Sequence, residues 1–256
     1  MSAPAAAPRP PSKMRQTAAL GADYWNDSCA LGELAEAVAN GAVGATSNPV
    51  IAFTAVKSDP ATWMPVLDAL IGERADATED ELAWALIEAV GRRAAALLQP
   101  VHAETRGAKG FLSMQVSPKL YRSPARMAEH GRALAAVAPN VAIKVPATTA
   151  GIDAGVELVA AGINVNATVS FTVPQALYVA QRFEEALERA RAGGADMGRL
   201  HPYVTLMVGR LDDHLQRVMT REAISVEPGF LNWAGIAVFK KARALFRARG
   251  YRSTLL

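Results

Sequence analysis

The sequence predicts an α/β fold of the (β/α)8 barrel type, and three observations predict it. Short apolar runs rich in Val, Ile and Ala alternate with longer segments of helical period, the signature of repeated strand–helix units around a parallel sheet. Six such units can be counted. Polar residues recur at the ends of the apolar runs, the edge on which barrels of this kind carry their functional groups. A chain of 256 residues fits one large domain of that type.

The opening MSAPAAAPRPPSK is rich in Pro and Ala and has no long apolar run, so residues 1–18 read as a flexible tail and residues 19–256 as the barrel domain. The strands are expected near Gly21–Asn26, Ala42–Thr46, Phe111–Val116, Val141–Val145, Gly162–Val169 and Pro202–Met207. Helices are expected around Leu31–Ala39, Trp63–Gly72, Glu79–Leu98, Pro124–Val137, Val173–Ala192 and Leu231–Arg249. Thr78 is a candidate N-cap, with acidic residues following in the first turn. Gly250 fits a helix stop, and Tyr251–Leu256 turns apolar again as though a seventh strand begins. A closed barrel needs eight strands, so either elements escape this count or the barrel is incomplete at its C-terminal end. Open edges on the first and sixth strands would then invite a second copy or a partner chain.

Composition narrows the function classes. Hydrophobic residues make up 51% and charged residues 20%, enough for a substantial core. With 27 Lys and Arg against 24 Asp and Glu, the net charge of +3 is too small to imply nucleic acid. The one basic concentration, Lys240, Lys241, Arg243, Arg247, Arg249 and Arg252, reads as a solvated helix face. A single cysteine, Cys29, excludes an internal disulfide framework and a cysteine-rich zinc site, and points to a reducing cytoplasm. Nothing approaches the roughly 20 apolar residues needed to span a bilayer.

Lys144 lies in VAIKVPAT, where Ile143 and Val145 face one way and Ala142 and Lys144 the other. Two readings stand: a strand-end lysine that snorkels or pairs with a carboxylate, or a desolvated amine whose lowered pKa lets it attack a carbonyl. Asp27 and Asn48 fall at the ends of the first two strands, where each also suits a local role, Asp27 as a helix N-cap and Asn48 as a turn former before Pro49. The same edge carries Gln115, Ser117, Thr205 and Arg210. Asn164, Asn166, Thr168 and Ser170 fall on one face of GINVNATVS, which reads as a polar site or as a buried hydrogen-bond network.

Four segments in order, GAVGATSNPVI, NVAIKVPAT, GINVNATVSFT and VTLMVGRLDD, resemble the successive strand motifs of the transaldolase family. The likeness runs from about Gly21 to the last residue, and YWNDSC and PGFLNWAGIAVFKKA are similar to segments of its longer bacterial branch. The resemblance implies that Lys144 forms a Schiff base with a sugar ketone and that Asp27 is an acid/base residue. It further implies that Asn48 bonds the sugar, that Asn166 and Thr168 orient the intermediate and the water, and that Arg210 holds the sugar phosphate with Thr205 nearby. The activity implied is transfer of a dihydroxyacetone unit from sedoheptulose 7-phosphate or fructose 6-phosphate to an aldose phosphate, in the pentose phosphate pathway, with no cofactor and no metal. Gln115 departs from the pattern: transaldolases have a proton-exchanging glutamate there, whereas the related fructose-6-phosphate aldolases have glutamine, which positions a water but exchanges no proton. Those aldolases also use a tyrosine where this chain has Met207. Transfer, aldol cleavage and an inactive transaldolase-like binding protein all remain open on these residues. The resemblance also implies a second phosphate-binding arginine on strand seven of the family, for which no counterpart is read up to Leu256.

Overall fold

The computed structural model describes residues 11–256. Most of the tail read over residues 1–18 lies outside them, but a helix, α1 (Lys13–Ala19), overlaps its end. The elements that follow are β1 (Trp25–Asn26), α2 (Leu31–Ala39), β2 (Gly44–Thr46), α3 (Pro49–Ser58), α4 (Pro60–Glu73) and α5 (Glu79–Glu104). Next come β3 (Phe111–Gln115), a 3-10 turn (Pro118–Leu120), α6 (Pro124–Ala135), β4 (Val141–Pro146), α7 (Thr149–Ala160), β5 (Val165–Ser170) and α8 (Val173–Ala192). The chain continues through β6 (Tyr203–Leu206), α9 (Val208–Arg221), α10 (Asn232–Arg249) and β7 (Thr254–Leu255).

The seven strands form a sheet in chain order, from β1 through β7. The pairs β1/β2, β4/β5, β5/β6 and β6/β7 are parallel. An order that follows the chain without reversal, with a helix between successive strands, is the connectivity of a (β/α) barrel wall; a doubly wound sheet reverses at a switch point. The expected seventh strand is present as Thr254–Leu255, in register with Tyr203 and Val204. Four helices went unread in the sequence: α1, α3, α7 and α9.

The described residues fall into two compact units, the first running through Glu104 and taking in Lys109–Leu112, the second comprising Thr105–Ala108 and Ser113–Leu256. In the first, α5 packs on α2, α3 and α4. Its start is a capping box: Thr78 N–H and Oγ1 both donate to Glu81 at 2.8 Å, and Glu81 N–H returns a bond to Thr78 Oγ1 at 3.3 Å. Trp63 is fully buried, with the Arg93 guanidinium 4.8 Å above its ring. Gly44 stands in register with Trp25, and a Cβ there would lie 2.4 Å from the indole.

In the second unit α7 packs against α6 and α8, and α8 against α10. Helix α7 is small-residue rich and buried nearly all round, and its glycines let neighbours approach closely. A Cβ on Gly155 would meet Phe183 at 3.0 Å, and one on Gly131 of α6 would meet Leu158 at 2.7 Å. Helix α10 ends at Gly250, whose left-handed φ of 66° meets the expectation of a stop. Its basic residues Lys240, Lys241, Arg243, Arg247 and Arg249 are exposed, while Arg252 pairs with Glu184 at 2.8 Å and Glu188 at 2.7 Å. Among the described residues, no helix is long and apolar enough to cross a membrane.

Candidate active site

In the second unit the side of the sheet on which Lys144 stands follows from packing. A Cβ on Gly131 of α6 would lie 3.1 Å from Ile143, and one on Gly155 of α7 would lie 3.4 Å from Val145. Ile143 and Val145 therefore face the helices, and the two-residue period of β4 turns the half-buried Lys144 to the opposite face. Lys144 is the register partner of Asn166 on β5, and Pro146 that of Thr168. On the other flank, Val116 N–H donates to the Lys144 carbonyl at 3.1 Å, which in a parallel pair sets Gln115 of β3 beside Lys144. Gln115, Lys144 and Asn166 thus stand abreast on three consecutive strands, with Thr168 one step further along the same face of β5.

Asn166 is 1% exposed and bonded at both ends of its carboxamide. Thr205 Oγ1 of β6 donates to its Oδ1 at 2.7 Å, and its Nδ2 donates to Ser113 Oγ of β3 at 3.2 Å. Thr168 is buried and its hydroxyl donates to Met207 Sδ at 3.5 Å. Gln115 is half-buried and, among the described residues, bonded to no other side chain. Arg210 is exposed in the first turn of α9. That helix has no side-chain cap, so the positive end of its dipole, in the turn that carries Arg210, is left uncovered by any side chain of its own cap.

The strand β5 does not keep its period to the end. Val169 adopts φ 67°, a left-handed conformation that costs a β-branched residue, and the β5/β6 register shifts between Ala167 and Ser170. Asn164 also leaves the expected face. It precedes the strand, donating to the Arg199 carbonyl at 2.9 Å and accepting from His201 N–H at 2.6 Å, so it ties the segment before β6 rather than joining Asn166.

The first unit carries the other two residues singled out in the sequence. Asp27 follows β1 directly and is exposed, and its carboxylate accepts from the Thr46 hydroxyl at the end of β2. It caps no helix: α2 begins after Ala30 without a side-chain cap. Asn48 does act locally, as the N-cap of α3, its Oδ1 accepting from Ile51 N–H at 2.8 Å. Its amide nitrogen is not used in that cap.

Two residues were not singled out in the sequence. Ser113 looks like an isolated hydroxyl in the apolar run FLSMQ, and the available signal was its position two residues before Gln115 on the same face. His130 of α6 accepts from Ser117 N–H at 3.0 Å through Nδ1, just beyond β3, and burial lowers its pKa below the ordinary histidine value. Burial likewise raises the Cys29 thiol, to which Ser47 donates at 3.5 Å. Among the described residues no cluster of His, Cys, Asp or Glu could hold a metal ion.

Comparison with known proteins identifies the family. The model of the Transaldolase/Fructose-6-phosphate aldolase family matches residues 24–256. The chain is 33% identical over 193 residues to transaldolase 1 of Streptomyces avermitilis, covering 74% of this chain and 50% of that protein. It is 33% identical over 228 residues to the transaldolase of Thermobifida fusca, covering 84% of this chain and 61% of that one. Over 247 residues it is 30% identical to transaldolase 1 of Streptomyces coelicolor, 92% of this chain and 62% of that protein. The chain thus spans about half to three fifths of the length of these curated relatives. With a match that leaves out only the first 23 residues, the chain belongs to the transaldolase/fructose-6-phosphate aldolase family.

Proposed function

We propose that the chain carries out transaldolase chemistry, moving a dihydroxyacetone unit between sugar phosphates through a Schiff base on Lys144. The observation that carries this reading is the placement of Lys144, turned away from the helix layer and flanked on its own face by Gln115 and Asn166. In that reading the Lys144 amine adds to the ketone of sedoheptulose 7-phosphate or fructose 6-phosphate, and water leaves as the imine forms. The protonated imine withdraws electrons, and the hydroxyl on the second carbon from the imine gives up its proton. The bond between that carbon and the one next to the imine breaks, and an aldose phosphate departs as the three-carbon enamine forms. Asn166 and Thr168, with Asn48, hold the three-carbon enamine until a second aldose phosphate accepts it. Asp27 assists the proton transfers, and Arg210 binds the phosphate, for which a guanidinium fork is suited. The scheme asks for no metal and no cofactor.

Gln115 favours a second reading for the acceptor half. A glutamine beside Lys144 positions a water without exchanging a proton with it, so hydrolytic release of the three-carbon unit, as in aldol cleavage, competes with transfer. A chain that has lost catalysis and only binds sugar phosphates is the remaining alternative.

Borohydride trapping with fructose 6-phosphate tests the proposal. Reduction of the imine should add the sugar-derived unit to the peptide containing Lys144, and Lys144→Met should abolish it. A folded wild-type chain that takes up no label, or a Lys144→Met chain that still does, would sink the assignment. In a separate incubation without borohydride, adding an aldose phosphate to the chain and fructose 6-phosphate separates transfer, which yields a new ketose phosphate, from cleavage, which yields free dihydroxyacetone.

A further inference from the structure

We propose that Ser113 is a positioning residue that holds the carboxamide of Asn166 with its nitrogen, not its oxygen, on the Lys144 side of the site. This rests on the reading of Lys144 as the Schiff-base lysine. Ser113 is fully buried and Asn166 nearly so, so whatever bonds they make decide how the carboxamide lies. Thr205 on β6 fills the carbonyl at 2.7 Å, and Ser113 on β3 takes an N–H at 3.2 Å. Strand β4 lies between β3 and β5, and its Lys144 is the register partner of Asn166. The carbonyl is therefore drawn toward β6, and the nitrogen is drawn across β4.

The consequence is chemical. A carbonyl oxygen turned toward Lys144 would stabilise its ammonium form and withhold the amine from attack. An N–H on that side adds no acceptor for the amine and offers a donor to an oxygen developing on the substrate carbon. Thr205 spends its single hydroxyl proton on the carboxamide, so both flanking hydroxyls serve Asn166. Removing the Ser113 oxygen leaves a buried N–H unpaired and frees the carboxamide to turn.

Wild type, Ser113→Ala and Ser113→Thr are compared as full chains, with fructose 6-phosphate and borohydride as the probe. Ser113→Ala should slow trapping at saturating sugar by about tenfold to a hundredfold, while the half-saturating concentration moves much less. Ser113→Thr, which keeps the oxygen, should recover most of the rate. The Asn166 side-chain amide protons, followed by NMR, should exchange slowly in wild type and faster in Ser113→Ala. Unchanged trapping in a folded Ser113→Ala chain, or an equal loss in Ser113→Thr, would overturn the proposal. If wild type itself takes no label, the function proposed above fails; the amide exchange then decides the positioning alone, and exchange equal in wild type and Ser113→Ala refutes it.

Discussion

Replacing Gly151 by alanine should destabilise the second unit, although alanine is the better helix former. Gly151 lies in the first turn of α7, its N–H capped by Thr148 Oγ1 at 3.2 Å. A Cβ built there would sit 2.0 Å from the Pro146 carbonyl oxygen and 2.8 Å from Pro146 Cγ. Ordinary van der Waals contact requires the start of α7 and the end of β4 to separate by more than about 1 Å, and the obstacle is backbone that cannot rotate away. Overpacking of this kind costs about 3 kcal/mol at the upper end of its range, against about 1 kcal/mol gained in helix propensity. The balance of about 2 kcal/mol corresponds to a fall of roughly 4–8 °C in the thermal midpoint, read by circular dichroism. Gly209→Ala in α9 is the control: its Cβ meets nothing within 4 Å, so propensity alone acts and the midpoint should hold or rise slightly. A Gly151→Ala chain as stable as wild type would show that β4 and α7 yield at Pro146, and the steric reasoning would fail.

His130 should make folding sensitive to acid. Burial lowers its folded pKa beneath the ordinary value near 6.5, so its share of stability is complete above that pH and is lost as pH falls below it. Urea midpoints at about pH 7.5 and about pH 5.5 should diverge less in His130→Gln than in wild type, and an equal divergence would remove His130 from the account. Cys29 is fully buried with a raised thiol pKa, so a thiol-specific reagent should label it only when urea opens the first unit; rapid labelling of native protein would contradict that burial.

The sequence was legible where one period dominated. Helices α2 and α8 carry clear apolar stripes, and the expected Leu31–Ala39 and Val173–Ala192 match them end to end. Strands β3 to β6 were placed to within a few residues because their Val-rich runs are bounded by turn residues. Helices α7 and α3 lack that signal. In α7, TAGIDAGVELVA is apolar almost all round, so no stripe stands out. Helix α3 begins with Asn48 and Pro49, which read equally as a turn, whereas α9 does carry a stripe, Leu211, Leu215, Val218 and Met219, within an otherwise polar run. For the site, Lys144 and Asn166 could be placed on strand faces, but their pairing with Gln115, Ser113 and Thr205 depends on register between strands. Register is a tertiary quantity that periodicity within one strand does not contain. Asn164 shows the limit: two residues from Asn166 in an unbroken pattern, it lies outside the strand and bonds elsewhere.

The left-handed Val169 ties together segments far apart along the chain. On one side of it the Thr168 carbonyl accepts from Ala147 N–H at 2.6 Å, and on the other the Ser170 carbonyl accepts from Met207 N–H at 2.8 Å. Ala147 leads into α7 and Met207 into α9, the helix that carries Arg210. One strained residue therefore works as a rivet through three strand exits. A shift in its backbone would be passed through main-chain bonds alone to the end of the Lys144 strand and to the start of the helix that carries Arg210.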